Sequence, residues 1–250
     1  MSRPDPILEE LGLMPVWVRR ASDTANVAGP VAVDPSPITS IEAQTKELEA
    51  TPGSFPVSSE TPINLLDWDT LKARVANCTR CRLCEKRTQT VFGTGDEKAS
   101  WMLVGEAPGA NEDRLGEPFV GQAGKLLDNM LRAVGRTRNN GVYIANVIKC
   151  RPPGNRDPQF DEVAQCEPYL KRQLAIIRPQ LIIALGRFAA QSLLKTDASI
   201  SSLRTRVHQY EGVPVIVTYH PAYLLRNLPD KAKAWADLCR AQEIYQEISR

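Results

Sequence analysis

Leu181-Ile182-Ile183-Ala184-Leu185 is an unbroken apolar run that ends at Gly186-Arg187. A strand with one face in water alternates apolar and polar residues, whereas a strand buried on both faces does not. The run therefore predicts a strand inside a sheet that helices cover on both sides. Its neighbours agree. Asp161 to Ile177 and Phe188 to Leu194 carry helical spacing on either side of it. Upstream, Trp101 to Val104 is a short apolar strand leading into Gly105-Glu106-Ala107-Pro108-Gly109. Leu126, Leu127, Met130, Leu131 and Val134 mark a helix over Gly124 to Val134, and Val142 to Ile148 reads as the next strand. Downstream, Val213 to Thr218 is a strand that ends in Tyr219-His220-Pro221, and a last helix covers Asp230 to Ile248. Strands alternating with helices give an α/β fold with a mostly parallel sheet. Working residues in such sheets gather beyond the carboxyl ends of the strands. Three ends stand out: Gly105-Glu106, Asn146 and His220.

The chain divides by composition. Nine of its 19 prolines lie in residues 1–62. Residues 21–62 mix Pro, Ser, Thr, Ala and Val with little periodicity, the signature of a disordered linker that cannot bury enough apolar surface to offset its ordering entropy. Residues 1–20 form a short amphipathic segment ahead of it, and residues 63–250 are the expected globular domain. The overall charge of +2 averages unlike parts. Residues 1–62 carry four basic and nine acidic side chains, and residues 63–250 carry 27 and 20. The globular part is thus basic, as a phosphate-binding protein requires. No apolar run is long enough to cross a membrane and no secretory signal is visible, so a cytoplasmic protein with no membrane partner is expected.

A reducing compartment makes the six cysteines metal ligands or plain core residues rather than disulfides. Cys78, Cys81 and Cys84 are spaced C-x2-C-x2-C, Cys150 follows a strand and Cys166 lies in the next helix. Two residues between cysteines let both sulfurs reach one metal centre. Four thiolates suit tetrahedral zinc or an iron–sulfur cluster. Cys239, beside Trp235 and Leu238 on an apolar helix, reads as a core residue, and Cys84 is ambiguous.

His208 and His220 are the two histidines, which excludes a His-rich metal site. His208 sits in the alternating stretch Val207 to Tyr210 and is expected at the surface. Gly121-Gln122-Ala123-Gly124-Lys125 falls short of a phosphate-binding P-loop, because Phe119 stands where the first glycine belongs. Lys149-Cys150-Arg151-Pro152-Pro153-Gly154-Asn155-Arg156 is a rigid basic loop whose cations can meet phosphates. Leu224-Leu225-Arg226 follows His220 at a loop-to-helix corner, where leucines can either wedge into a base stack or fill the core.

Together these residues resemble the family 4, iron–sulfur type, uracil-DNA glycosylases. The matching pieces are Cys78-x2-Cys81, Val91-Phe92-Gly93, Gly105-Glu106-Ala107-Pro108-Gly109, Glu112-Asp113, Pro118-Phe119-Val120-Gly121, Asn146 to Pro153, Cys166, and His220 to Arg226. The resemblance implies a three-layer αβα sandwich around a four-stranded, mostly parallel sheet. It implies a 4Fe-4S cluster on Cys78, Cys81, Cys150 and Cys166, with uracil-containing DNA as partner and a monomer as the working unit. Between Gly109 and Gly121 there is no histidine and no inserted loop, so ordinary turnover is expected and not the covalent crosslinking of a related branch.

The roles implied are these. Uracil is extruded from the duplex into a pocket, Phe119 stacks on it, and Gly105 and Asn146 bind it, the Asn146 amide reading its edge in a bidentate way. His220 donates to the charge that develops on a uracil oxygen. Backbone amides near Ala107 assist. Family 1 relatives carry an aspartate in the Ala107 slot, which leaves Glu106 and Glu112 to hold the water or shape the pocket. Leu224, Leu225 and Arg226 brace the kinked strand, and Arg151 and Arg156 meet phosphates. Ala107 also keeps open a non-catalytic lesion binder on the same fold. At the head of the chain, Leu8-Glu9-Glu10-Leu11-Gly12-Leu13, Trp17 and Arg19-Arg20 are similar to the peptide by which the clamp-loader psi subunit grips chi. Residues 7–20 are therefore expected to dock on a chi-like replication protein.

Overall fold

The structure is a computed structural model and describes residues 61–249. The expected head segment, and the linker apart from Thr61 and Pro62, lie outside the described residues. Among the described residues there are six strands: β1 (Thr94–Gly95), β2 (Trp101–Gly105), β3 (Val142–Asn146), β4 (Leu181–Leu185), β5 (Val207–Tyr210) and β6 (Val213–Thr218). They form one sheet in the order β1-β3-β2-β4-β6-β5. The four inner strands are parallel, and the two edges are antiparallel.

The expected four-stranded parallel sheet is therefore the centre of a six-stranded one. Each added edge has a local cause. Glu211 and Gly212 both take positive φ, at 49° and 80°, and this two-residue turn folds β5 back onto β6 as a hairpin. β1 is only Thr94 and Gly95, too short for any period to reveal, and it pairs with Ile144 and Tyr143.

All five residues of β2, β3 and β4 are buried, as the continuous apolar runs predict. Successive side chains point to opposite faces, and this builds two cores. Met102, Val104, Tyr143, Ala145, Ile182, Ala184, Val215 and Val217 face one layer. There they meet α1 (Trp68–Ala76), α4 (Phe160–Ile177) and α5 (Arg187–Leu194). Trp101, Leu103, Ile144, Leu181, Ile183 and Ile216 face the other. They meet Leu127 and Leu131 of α3 (Gln122–Ala133) and Leu238, Ala241 and Ile244 of α8 (Lys231–Ile248). Among the described residues there are also three short α-helices, α2 (Ala110–Leu115), α6 (Ile200–Leu203) and α7 (Pro221–Leu224), besides single 3-10 turns. At the amino-terminal end of the strands the Arg136 guanidinium contacts both Trp101 and Tyr245, at 4.2 and 4.6 Å from the ring centroids.

His208 departs from expectation. It is partly buried, and its Nε2 lies 2.8 Å from the Leu203 carbonyl oxygen, so it ties the edge strand to α6. Among the described residues, no helix is long and apolar enough to cross a membrane.

Candidate active site and cysteine cavity

The carboxyl ends of the inner strands bring the expected residues together. Gly105 and Asn146 are register partners on β2 and β3. An ideal Cβ on Gly105 would stand 2.5 Å from Asn146 Oδ1 and 2.7 Å from Phe119 Cζ. Glycine there is what lets amide and ring close over one strand end. The Phe119 ring stacks on the His220 ring, with centroids 5.4 Å apart and 28° between planes. Asn146 is 2% exposed, and its side-chain oxygen has no hydrogen-bond partner. Leaving such an atom unpaired costs about 1–3 kcal/mol, so it marks a place where a ligand donor belongs.

His220 caps α7. Its Nδ1 accepts a hydrogen bond from the Ala222 backbone N–H at 3.1 Å. That bond requires an unprotonated Nδ1, so the proton of the neutral ring sits on Nε2. Burial, reinforced by the Arg226 charge, pushes the imidazole pKa down to about 4. The ring is thus a neutral donor at any physiological pH.

The two glutamates separate by environment. Glu112 accepts from the Val120 backbone N–H at 3.0 Å and so braces the Phe119 loop. Glu106, just past β2, is pushed up to about 7 by burial and by the nearby Asp157 charge, with Arg187 opposing. Asp113 is buried and takes the Thr88 N–H on both oxygens at 3.0 Å.

Arg138 escaped the sequence reading. It bonds Asp128 at 2.6 Å, donates to the Pro118 carbonyl at 2.8 Å and donates also to the Phe119 carbonyl. Phe119 itself has a positive φ of 56°, an uncommon conformation outside glycine. A Cβ on Gly124 would fall 1.7 Å from the Phe119 oxygen. Arg138 and Gly124 together hold that carbonyl, and with it the ring. The positive φ had no sequence signal, and Arg138 stands 19 residues away.

Two expected DNA contacts are placed differently. Leu224 is 1% exposed and packs with Tyr219 and Ala234, so it is core and not wedge. Leu225 and Arg226 are exposed, and Leu228, which the sequence reading omitted, is 60% exposed. One turn of α7 turns Pro221 and Leu224 inward, and the next residue necessarily faces out. Arg156 makes two bonds, of 2.9 and 2.6 Å, to the fully buried Glu162. It is an internal anchor of the basic loop, while Arg151 is held to Asn155 through Nε at 2.8 Å. Arg156→Ala should lower the melting temperature by several degrees, since it strands a buried carboxylate. It should leave the salt dependence of DNA affinity near wild type. Arg151→Ala should do the reverse, reducing the salt slope by about one unit at unchanged melting temperature.

Cys78, Cys81, Cys150 and Cys166 line one cavity, with Arg87, Lys149 and Tyr169. These four cysteines come from the segment after α1, from the loop after β3 and from α4. Cys84 is not among the lining residues. Arg87 Nη1 donates to the Cys150 sulfur at 3.1 Å, and the Lys149 backbone N–H donates to that of Cys166 at 3.2 Å. Both contacts favour thiolate. Burial alone works against it, raising Cys150 to about 11 and Cys166 to about 12. Among the described residues, no three His, Cys, Asp or Glu side chains form a ready single-ion site. The fully buried Lys149 donates to the Asn146 backbone carbonyl at 3.0 Å and to Gln173 at 2.6 Å. It therefore joins the cysteine loop to the strand end that carries Asn146.

Comparison with known proteins agrees with this geometry. The Uracil DNA glycosylase superfamily matches residues 92–239. A type-4 uracil-DNA glycosylase of Archaeoglobus fulgidus is 48% identical over 165 residues, which cover 63% of this chain and 82% of that protein. The chain belongs to the type-4 uracil-DNA glycosylases. A second type-4 glycosylase, from Thermotoga maritima, is 45% identical over 157 residues, covering 62% of this chain and 81% of its own length. A type-5 glycosylase of Pyrobaculum aerophilum is more distant, at 31% over 192 residues, with 64% and 84% covered.

Proposed function

We propose that this type-4 uracil-DNA glycosylase takes an extruded uracil at the edge formed by Gly105, Phe119, Asn146 and His220, and hydrolyses its N-glycosidic bond to leave an abasic site. The observation that carries the reading is the buried, unpartnered oxygen of Asn146 beside a neutral His220 whose proton is on Nε2. The amide oxygen accepts from uracil N3–H, and the amide NH2 donates to the adjacent carbonyl. Cytosine offers the opposite order at these positions and leaves buried groups unpaired, which is strong discrimination. As the bond breaks, negative charge gathers on the base, and His220 Nε2–H donates to it. Phe119 stacks on the base, Glu112 keeps its loop in place, and Arg151, Leu225 and Arg226 hold the strand. The named relatives weigh against a non-catalytic lesion binder. Incubation with a uracil-containing duplex, followed by cleavage of abasic sites, is the test. No product at any enzyme excess would sink the reading and favour the binder.

Glu106 suits the water. Its carboxyl pKa of about 7 means that the ionised form falls tenfold for each pH unit below that value. If the carboxylate orients water, kcat/KM rises with unit slope up to pH 7 and levels off above it. His220, near 4, is neutral throughout and contributes no falling limb. Glu106→Gln should flatten the profile. A sloping profile in that variant would move the role elsewhere.

The four cysteine thiolates fit a 4Fe-4S cluster. The four cysteines line one cavity, and a cluster's own atoms would fill space between them. When bound it would supply a staple joining three chain segments. Iron and sulfide in the purified protein, lost in Cys150→Ser, would support this, and zinc in their place would overturn it. Residues 7–20 remain a proposed docking peptide for a chi-like protein on the 21–62 tether. Equal recovery of that protein by the full chain and by a chain starting at Ile63 would defeat it.

A further inference from the structure

Phe160 is the most exposed of the large apolar side chains described, at 88%. A single exposed hydrophobic residue is ordinary, but the placing of this one is specific. It is the first residue of α4, with Asp157, Pro158 and Gln159 between it and the basic loop. Its backbone is fixed on both sides: the Gln159 N–H donates to Glu162 at 2.8 Å, and Glu162 is held by Arg156. The ring thus projects from a rigid junction, so little ordering is needed for it to bind something.

The junction lies at the same edge of the sheet as the site. Asp157 pairs with Arg187 at 3.3 Å, which anchors the loop to the start of α5 beyond β4. Asp157 also acts electrostatically on Glu106, beyond β2. The exposed Leu225 and Leu228 follow β6. β3 and β6 are separated by β2 and β4, three strand spacings or about 14 Å. Phe160 and the pair Leu225 and Leu228 therefore lie in segments that follow the carboxyl ends of β3 and β6, with cations nearby. The Arg187 and Arg82 side chains are 57% and 63% exposed, in long surface ion pairs that a phosphate can displace.

We propose that Phe160 is a stacking platform for an unpaired base next to the uracil, on the strand being read. Leu225 and Leu228 brace one side of the extruded nucleotide, and Phe160 holds the other. Every base has a π-face, so the contact is tolerant of sequence. A paired neighbour is already stacked in its duplex and gains little. The contact therefore favours uracil in single-stranded or frayed DNA. The inference rests on the proposed function for its placing, but its test does not.

Affinity for a uracil-free single-stranded oligonucleotide is measured with the full chain, cluster present, as wild type, Phe160→Ala and Phe160→Trp. Phe160→Ala should weaken binding by roughly five- to a hundredfold, with duplex affinity changed less than about twofold and melting temperature unchanged. Phe160→Trp should restore binding, and its added fluorescence over wild type should be quenched by the oligonucleotide. Equal single-strand affinity in wild type and Phe160→Ala, or an unquenched added signal, overturns the proposal. Since these oligonucleotides hold no uracil, that outcome is separate from a failure to form abasic sites, which would sink the glycosylase reading itself.

Discussion

Asn146→Ala should lower single-turnover cleavage of uracil DNA by at least about 10³-fold, the largest loss expected of any single substitution here. The reasoning starts from burial. Asn146 is 2% exposed, and its oxygen is unpartnered, so the site already bears the cost of a desolvated acceptor. A donor brought by a ligand relieves it. A site built this way distinguishes a correct from an incorrect hydrogen-bond pattern by about 10⁴–10⁵. Truncating the amide removes both of its contacts together and leaves the uracil edge unpaired in a dry pocket. Free uracil should also lose most of its inhibitory affinity. The melting temperature should hold or rise, because no protein partner of that oxygen is lost. A variant within tenfold of wild type would show that the base is read by other groups.

His220→Ala should cost about 10²–10³ in kcat, the range for one preorganised donor aimed at developing negative charge. KM should change little, since the ground-state carbonyl needs the donor much less than the departing anion does. The rising limb of the pH profile should survive in the variant, because Glu106 and not His220 is the group proposed to carry it. A loss confined to KM would make His220 a binding group only. The Nδ1 bond to Ala222 gives a further check. A neutral Nε2–H tautomer should be visible by nitrogen NMR from pH 5 upward, and an imidazolium near neutrality would contradict the pKa of about 4.

Legibility in the sequence followed the physics of each feature. The runs at Trp101, Val142, Leu181 and Val213 were readable because a strand buried on both faces must be apolar throughout. Cys78 and Cys81 stood out because two residues between thiols is a ligand spacing, whereas Cys150 and Cys166 joined them only through the family resemblance. Glu106, Asn146 and His220 were placed by their position at strand ends. What escaped depended on contacts that leave no local pattern. Leu224 and Leu225 are neighbours, and a helix of four residues is too short for its period to say which one faces inward. Arg156 looked like a phosphate ligand because the sequence gives no sign that Glu162 is fully buried. Arg138 reaches Phe119 across the whole of α3, and only the fold brings them together.

The placing of α8 has a consequence for the chain as it is made. The face of the sheet holding Leu181, Ile183 and Ile216 is covered in part by Leu238, Ala241 and Ile244, and Tyr245 adds a ring contact to Arg136. All four strands of the parallel centre leave the ribosome before α8 does. At about 5–20 residues per second, a partly bare apolar sheet persists for on the order of a second or more on each nascent chain. That interval, and not the finished enzyme, is when the protein is most exposed to aggregation.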